Sequence, residues 1–264
     1  MPMNVIQQAA TEGRPTFGVW SSAPSQAGAE ILGRSGIDWV LLDLQHGAGN
    51  EGDLLPLIQA IELGGSNALI RVGWSDPQLI MRAMDLGAMG VVVPMVSTPE
   101  QAEISAKSMR YPPRGYRSFG PLRRTYVPNP DDEAPHTCVV MVETVDAMAN
   151  IDAIAGTPGV DVVLVGPVDL GLALGLGLDV SGSHPTLVNA MKEVVAACQR
   201  HGKVAGGVAL RAQNAELLLE LGMRFVTLGS DAGYLGQGIA ADVARAKELA
   251  ASVGSPDATA SAPS

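Results

Sequence analysis

Several things are scarce in this chain of 264 residues, and each scarcity excludes a class of protein. Only two cysteines occur, Cys138 and Cys198, in strand-like and helix-like contexts and without a CxxC neighbour. A disulfide framework is therefore not expected, and both read as reduced core residues of a cytoplasmic protein. No apolar run approaches the roughly 20 residues of a membrane-spanning helix. The start, Met1-Pro2-Met3-Asn4-Val5, lacks a basic segment followed by an apolar one, so no secretory signal is expected. Cations are outnumbered, giving a formal net charge of −10, which repels phosphate backbones and anionic lipid. Nucleic acid and membrane surfaces are thus not expected as partners. Charged residues make up 17% against 47% hydrophobic, which excludes general disorder.

What is present is an alternation of short β-branched runs with longer helical patterns. Strands are expected at Thr16–Trp20, Trp39–Asp43, Ala68–Val72, Gly90–Met95, Cys138–Glu143, Val160–Val165, Val204–Ala209 and Phe225–Gly229. Helices are expected near Ser25–Ser35, Glu51–Leu63, Pro77–Leu86, Pro99–Met109, Val145–Ala155, Pro185–His201, Ala212–Leu221 and Gly236–Ala250. The strands are apolar throughout rather than alternating, which suits a parallel sheet buried on both faces. Eight β/α units of this size predict an α/β fold, a TIM (β/α)8 barrel, as one domain over residues 1–250. The Ala-, Ser- and Pro-rich tail, residues 251–264, is expected to be disordered. The long connection Tyr111–Thr137 reads either as a lid, binding loop or subunit contact, or as a plain surface excursion.

In such barrels the active site lies at the C-terminal rim of the strands. Strand one ends at Trp20, strand two at Asp43 with His46 just beyond, and strand three at Arg71. Strand five ends at Glu143, and strand six runs into Gly166-Pro167-Val168-Asp169. Singly, each has an ordinary explanation: a helix cap, a salt-bridge partner, a core aromatic, a loop histidine. Six of them at one rim favour a site.

Glu143 and Asp169 form an oxygen-only pair with no His or Cys beside them, which suits Mg²⁺ or Mn²⁺ better than structural zinc. Two protein carboxylates leave positions for water and a chelating 2-oxo acid. Arg71 can stabilise the charge of an enolate, and His46 is the natural proton carrier, with Asp43 orienting its ring. Backbone N–H groups of Gly166 and Val168 can approach a carboxylate, while Pro167 fixes the turn; the plain alternative is a tight turn before a helix. A lysine Schiff base is not expected. Lys107, Lys192 and Lys247 fall in helical patterns, and Lys203 precedes strand seven, at the opposite rim.

Trp20 in Gly-Val-Trp, Asp43-Leu44-Gln45-His46, Ile70-Arg71-Val72, Met84-Asp85-Leu86-Gly87-Ala88, Val93-Pro94-Met95-Val96, Tyr111-Pro112-Pro113-Arg114-Gly115, Val142-Glu143-Thr144 and Gly166-Pro167-Val168-Asp169-Leu170 together resemble the HpcH/HpaI aldolases. The resemblance runs in order from Phe17 to Leu249. It implies a class II pyruvate aldolase using Mg²⁺, Mn²⁺ or Co²⁺, in hexamers built from dimers that exchange a terminal helix. Glu143 and Asp169 would then bind the metal. His46 with Asp43 would be the base, acting through metal-bound water, and Arg71 would stabilise the enolate. Asp85 would tune the base from a neighbouring subunit, the backbone near Val168 would hold the substrate carboxylate, and Trp20 would line the pocket. Gln45 stands where the family commonly has glutamate, and Met141 where well-known members carry a substrate-touching glutamine. Gln45-His46 and Arg117-Ser118-Phe119-Gly120 resemble a subgroup that accepts hydroxypyruvate-like donors.

The reaction so implied is reversible aldol cleavage of a 4-hydroxy-2-oxo acid to pyruvate or hydroxypyruvate and an aldehyde. Three other readings stay open at this level. One is a CoA-ester lyase of the same superfamily. Another is a phosphate-binding barrel using Gly206-Gly207 and Leu228-Gly229-Ser230. The third is a non-catalytic metal- and oxoacid-binding oligomer.

Overall fold

Eight parallel strands pair in chain order and the last returns to the first, closing the barrel. The strands are β1 (Thr16–Ser21), β2 (Trp39–Asp43), β3 (Asn67–Arg71), β4 (Gly90–Val93), β5 (Thr137–Val142), β6 (Val162–Val165), β7 (Val204–Val208) and β8 (Phe225–Ser230). The computed structural model describes residues 4–120, 122–123, 136–178, 182–210 and 212–253. Residues 121 and 124–135 of the connection Tyr111–Thr137, and the tail after Val253, lie outside the described residues.

The uniformly apolar strands have two buried faces, and successive residues serve them in turn. Trp39, Leu41, Leu69, Val92, Val139, Met141, Leu164 and Phe225 fill the barrel interior. Their neighbours Val40, Leu42, Ile70, Val91, Val93, Val140 and Val163 face the surrounding helices. Inside, Trp39 stacks on Phe225 with ring centres 4.2 Å apart. Its indole occupies the space a side chain at position 18 would need: a Cβ on Gly18 would lie 2.0 Å from the ring.

The helices are α1 (Val5–Glu12), α2 (Gln26–Gly33), α3 (Leu54–Gly64), α4 (Pro77–Asp85), α5 (Pro99–Ser108), α6 (Val145–Ala149), α7 (Ile151–Gly156), α8 (Pro167–Ala173), α9 (Pro185–Arg200), α10 (Ala215–Glu220) and α11 (Asp231–Val253). Local sequence starts several of them. Asp76 caps α4 and Thr98 with Gln101 forms a capping box on α5, each followed by proline at the first turn. The single helix expected over Val145–Ala155 is broken at Asn150, whose backbone leaves the helical region while its amide donates to Ser97 O at 2.9 Å. Two helices had no counterpart in the sequence reading. Helix α1 is capped by Asn4 and places Ile6 in the interior cluster, so it plugs the N-terminal end of the barrel. Helix α8 starts at Pro167 and turns the Gly-Pro-Val-Asp segment into a first helical turn.

The chain divides into two compact units, Met1–Asp231 and Ala232–Ser264. The first holds the barrel. The described part of the second is helical to Val253 and carries exposed Leu235, Ile239 and Val243, four residues apart along α11. Among the described residues no helix is long and apolar enough to cross a membrane.

Candidate active site

Strand register sets the first pair. Asp43 and Arg71 lie opposite one another on β2 and β3, and Arg71 closes a two-point ion pair, Nε to Oδ1 at 2.8 Å and Nη2 to Oδ2 at 2.6 Å. From β1, the Trp20 indole N–H donates to Asp43 Oδ2 at 3.0 Å, and the Arg71 guanidinium sits 4.5 Å from the centre of its ring. Asp43 Oδ1 also accepts the main-chain N–H groups of Gln45 and His46, at 2.9 and 3.2 Å. Burial pushes the Asp43 carboxyl up. The Arg71 hydrogen bonds and charge, the Trp20 donor and the Gln45 N–H outweigh it and hold the carboxyl below its ordinary value.

This corrects one expectation. Asp43 holds His46 through its backbone, not through the imidazole. The reason is geometric: an aspartate readily bonds N–H groups two and three residues ahead, and the guanidinium fork takes both of its oxygens. The His46 ring is left exposed on the pocket wall.

The carboxylate side is built differently. Glu143 lies one residue past β5 and is almost fully buried, at 3% exposure. Its Oε2 accepts the Met95 N–H at 2.8 Å. Met95 adopts the left-handed region, with φ 57°, rare for a side chain without polar groups, and so presents that N–H to Glu143. A Cβ on Gly166 would lie 2.5 Å from Glu143 Oε1, so a side chain there would displace the carboxylate. Asp169 follows in the first turn of α8. Burial drives the Glu143 carboxyl up and the Asp169 charge adds to it, against the opposing Met95 N–H and Arg71 charge.

One cavity of about 300 Å³ gathers Trp20, His46, Arg71, Met141, Glu143, Gly166, Pro167, Val168 and Asp169 at the C-terminal rim. Asp43 stands behind it, reaching the cavity through Arg71 and Trp20. Asp85 is not brought there within one chain. It ends α4 and pairs with the buried Arg117 at 2.8 Å, at the other end of the barrel, because helices run back against the strands.

With this geometry in place, a model of the HpcH/HpaI aldolase/citrate lyase family matches residues 16–237. The chain belongs to that family. The hydroxypyruvate/pyruvate aldolase of Rhizorhabdus wittichii is 36% identical over 94% of this chain and 100% of its own length. The 4-hydroxy-2-oxo-heptane-1,7-dioate aldolase of Klebsiella pneumoniae subsp. pneumoniae is 35% identical over 92% of this chain and 93% of its own. A crystal structure of a HpcH/HpaI aldolase/citrate lyase family protein from Burkholderia cenocepacia superposes with a TM-score of 0.85 and 29% identity, covering 93% of this chain and 100% of that one.

The family implies a divalent metal, and the residues present fit one. Among the described residues no cluster of three or more His, Cys, Asp or Glu could hold a metal. Glu143 and Asp169 form a two-carboxylate set of hard oxygen donors that oxygen-loving cations accept, keeping other positions for water or substrate. A cation there would also relieve the burial and repulsion that raise the Glu143 carboxyl.

Sequence reasoning missed Ser22, Val208, Ala209 and Leu210 and offered Gly229 and Ser230 only to a phosphate; all six complete the wall. They also follow or end strands at this rim, but a search for charged groups passes over small and apolar ones. The β1–β8 register shifts between Gly18 and Trp20 while Gly229 takes φ 114°, a bulge that turns Ser230 to the pocket. The phosphate reading loses two of its three glycines, Gly206 and Gly207. A Cβ on Gly206 would meet Phe225 O at 2.9 Å and one on Gly207 the Met223 sulfur at 2.6 Å, so both serve close packing.

Proposed function

We propose that this chain is a divalent-metal-dependent aldolase that reversibly cleaves a 4-hydroxy-2-oxo acid to pyruvate or hydroxypyruvate and an aldehyde. The observation that carries the reading is the single cavity in which Arg71 and His46 face Glu143 and Asp169. The aldolase names of two relatives that align along nearly their whole lengths support it.

Glu143 and Asp169 would hold Mg²⁺, Mn²⁺ or Co²⁺, which when bound supplies Lewis-acid polarisation of the oxo acid. Arg71, fixed by Asp43 and Trp20, presents its positive charge where the C2 oxygen turns anionic as the C3–C4 bond breaks. His46, on the open side, takes the proton from the C4 hydroxyl. The first-turn N–H groups near Val168 orient the substrate carboxylate, and Met141 with Trp20 forms apolar wall that excludes water. Asp85 would act on the base of a neighbouring copy.

An oligomer has support on each unit. The first unit has a groove of about 500 Å³ lined by Phe17, Ala212, Ala215, Leu219 and Leu228, with Glu216 and Glu220 at its edge. The second carries the apolar row Leu235, Ile239 and Val243. Exchange of α11 between copies, in a trimer of dimers, would cover both. Two buried, free cysteines suit a cytoplasmic setting.

The test follows oxo acid released from a 4-hydroxy-2-oxo acid, together with deuterium exchange into the pyruvate methyl group in D₂O. Both should need the added metal and stop with EDTA. Full cleavage in excess chelator would refute the metal mechanism, and exchange at the background rate would refute enolate chemistry.

A further inference from the structure

The far end of the barrel carries a second arrangement of charge. Arg14 stands two residues before β1, Lys203 one before β7 and Arg224 one before β8. Because β7, β8 and β1 are consecutive staves, the three cations meet at the N-terminal rim. They line a cavity of about 290 Å³ with Ala10, Cys198 and Gln199. Among the described residues its wall contains no Asp or Glu, in a chain whose net charge is −10.

The two central cations are held by carbonyls rather than by acids. Among the described residues Arg224 donates through Nη1 alone, to Leu219 O at 3.0 Å and Met223 O at 2.9 Å. Lys203 Nζ donates to Val160 O at 2.7 Å. These bonds fix the side chains without neutralising them, so Nε and Nη2 of Arg224 and two ammonium hydrogens of Lys203 remain for a ligand. Anchoring in advance lowers the ordering penalty when a ligand arrives. Arg14 contributes less, since its Nε holds Glu12 at 2.8 Å and its Nη1 faces Asp38 at 3.6 Å. Asp161, which feels the Lys203 charge, takes the Cys138 N–H at 2.8 Å and lies 3.8 Å from Arg110.

We infer that this cleft is a second, non-catalytic binding site for a small oxyanion, a metabolite bearing phosphate or carboxylate groups. A guanidinium with its Nε–Nη2 edge free beside an ammonium matches the several acceptor oxygens of either group. The cavity lies at the small end of ligand pockets, roughly 300 Å³ upward, which restricts the guest to a compact acid.

The test is the melting temperature of the purified full chain, titrated with inorganic phosphate and separately with succinate, ionic strength held constant with NaCl. At saturation at least one anion should raise Tm by about 2–4 °C. Arg71→Ala should keep that rise, which separates this site from the aldolase reading. The double variant Lys203→Gln, Arg224→Gln should lose it. A response to phosphate alone assigns phosphate compounds, and a response to succinate alone assigns carboxylic acids. No rise in the unmodified chain, or an equal rise in the double variant, overturns the proposal. Should the double variant not fold, crystals of the unmodified chain soaked in selenate give the answer: an anomalous peak between Lys203 and Arg224 supports the site, and its absence refutes it.

Discussion

Asp43 grips Arg71 with both carboxylate oxygens, across neighbouring strands and with both residues buried. The arginine's position over Trp20 is therefore set before any substrate arrives. Removing one member of such a buried pair leaves the other's charge without its counterpart.

Asp43→Asn should destabilise the protein at pH 7 by about 3 kcal/mol. The folded-state carboxyl lies below its ordinary 3.8, so its stabilisation is complete above that value and fades as pH falls through the depressed one. The gap in Tm between parent and variant should therefore hold from pH 5 to 8 and close below 3.8. A gap that persists unchanged in strong acid would count against the ion pair as its source.

Arg71→Lys keeps a positive charge but loses the fork. Turnover should fall by roughly 10²–10³, the loss expected when a donor to a developing oxyanion is misplaced. Metal affinity by calorimetry should stay near the parent value, because Glu143 and Asp169 are untouched. A parallel loss of metal binding would show that Arg71 has a structural part instead.

Glu143 is buried with one N–H partner, a destabilising state for a metal-free carboxylate. Glu143→Gln should raise the Tm of the metal-free protein at pH 7. It should also abolish the further rise that Mg²⁺ or Mn²⁺ gives the parent chain, and lower cleavage by about 10² or more. An undiminished metal-induced rise in the variant would remove Glu143 from the ligand set.

Gly18→Ala drives a methyl group into the Trp39 ring, where a Cβ would lie 2.0 Å away. Overpacking of this kind costs about 1–3 kcal/mol, measurable by urea unfolding. Adding Trp39→Leu should recover part of the loss. Equal stability of Gly18→Ala and the parent would mean that the interior is looser than the Trp39–Phe225 stack implies.

Sequence alone determined the barrel, because apolar strands with caps and prolines between them leave a parallel sheet with two buried faces as the consistent packing. It also marked Trp20, Asp43, His46, Arg71, Glu143 and Asp169, since charged and aromatic groups at the ends of buried strands stand out from their neighbours. Tertiary structure decided what those residues do to one another. Only strand register put both Asp43 oxygens on Arg71 and left His46 held by its main chain. Only the meeting of distant loops aimed Met95 N–H at Glu143, and brought Lys203 and Arg224 to one cleft. Periodicity along a chain records which face a residue occupies, whereas contacts between strands dozens of residues apart depend on how the sheet closes.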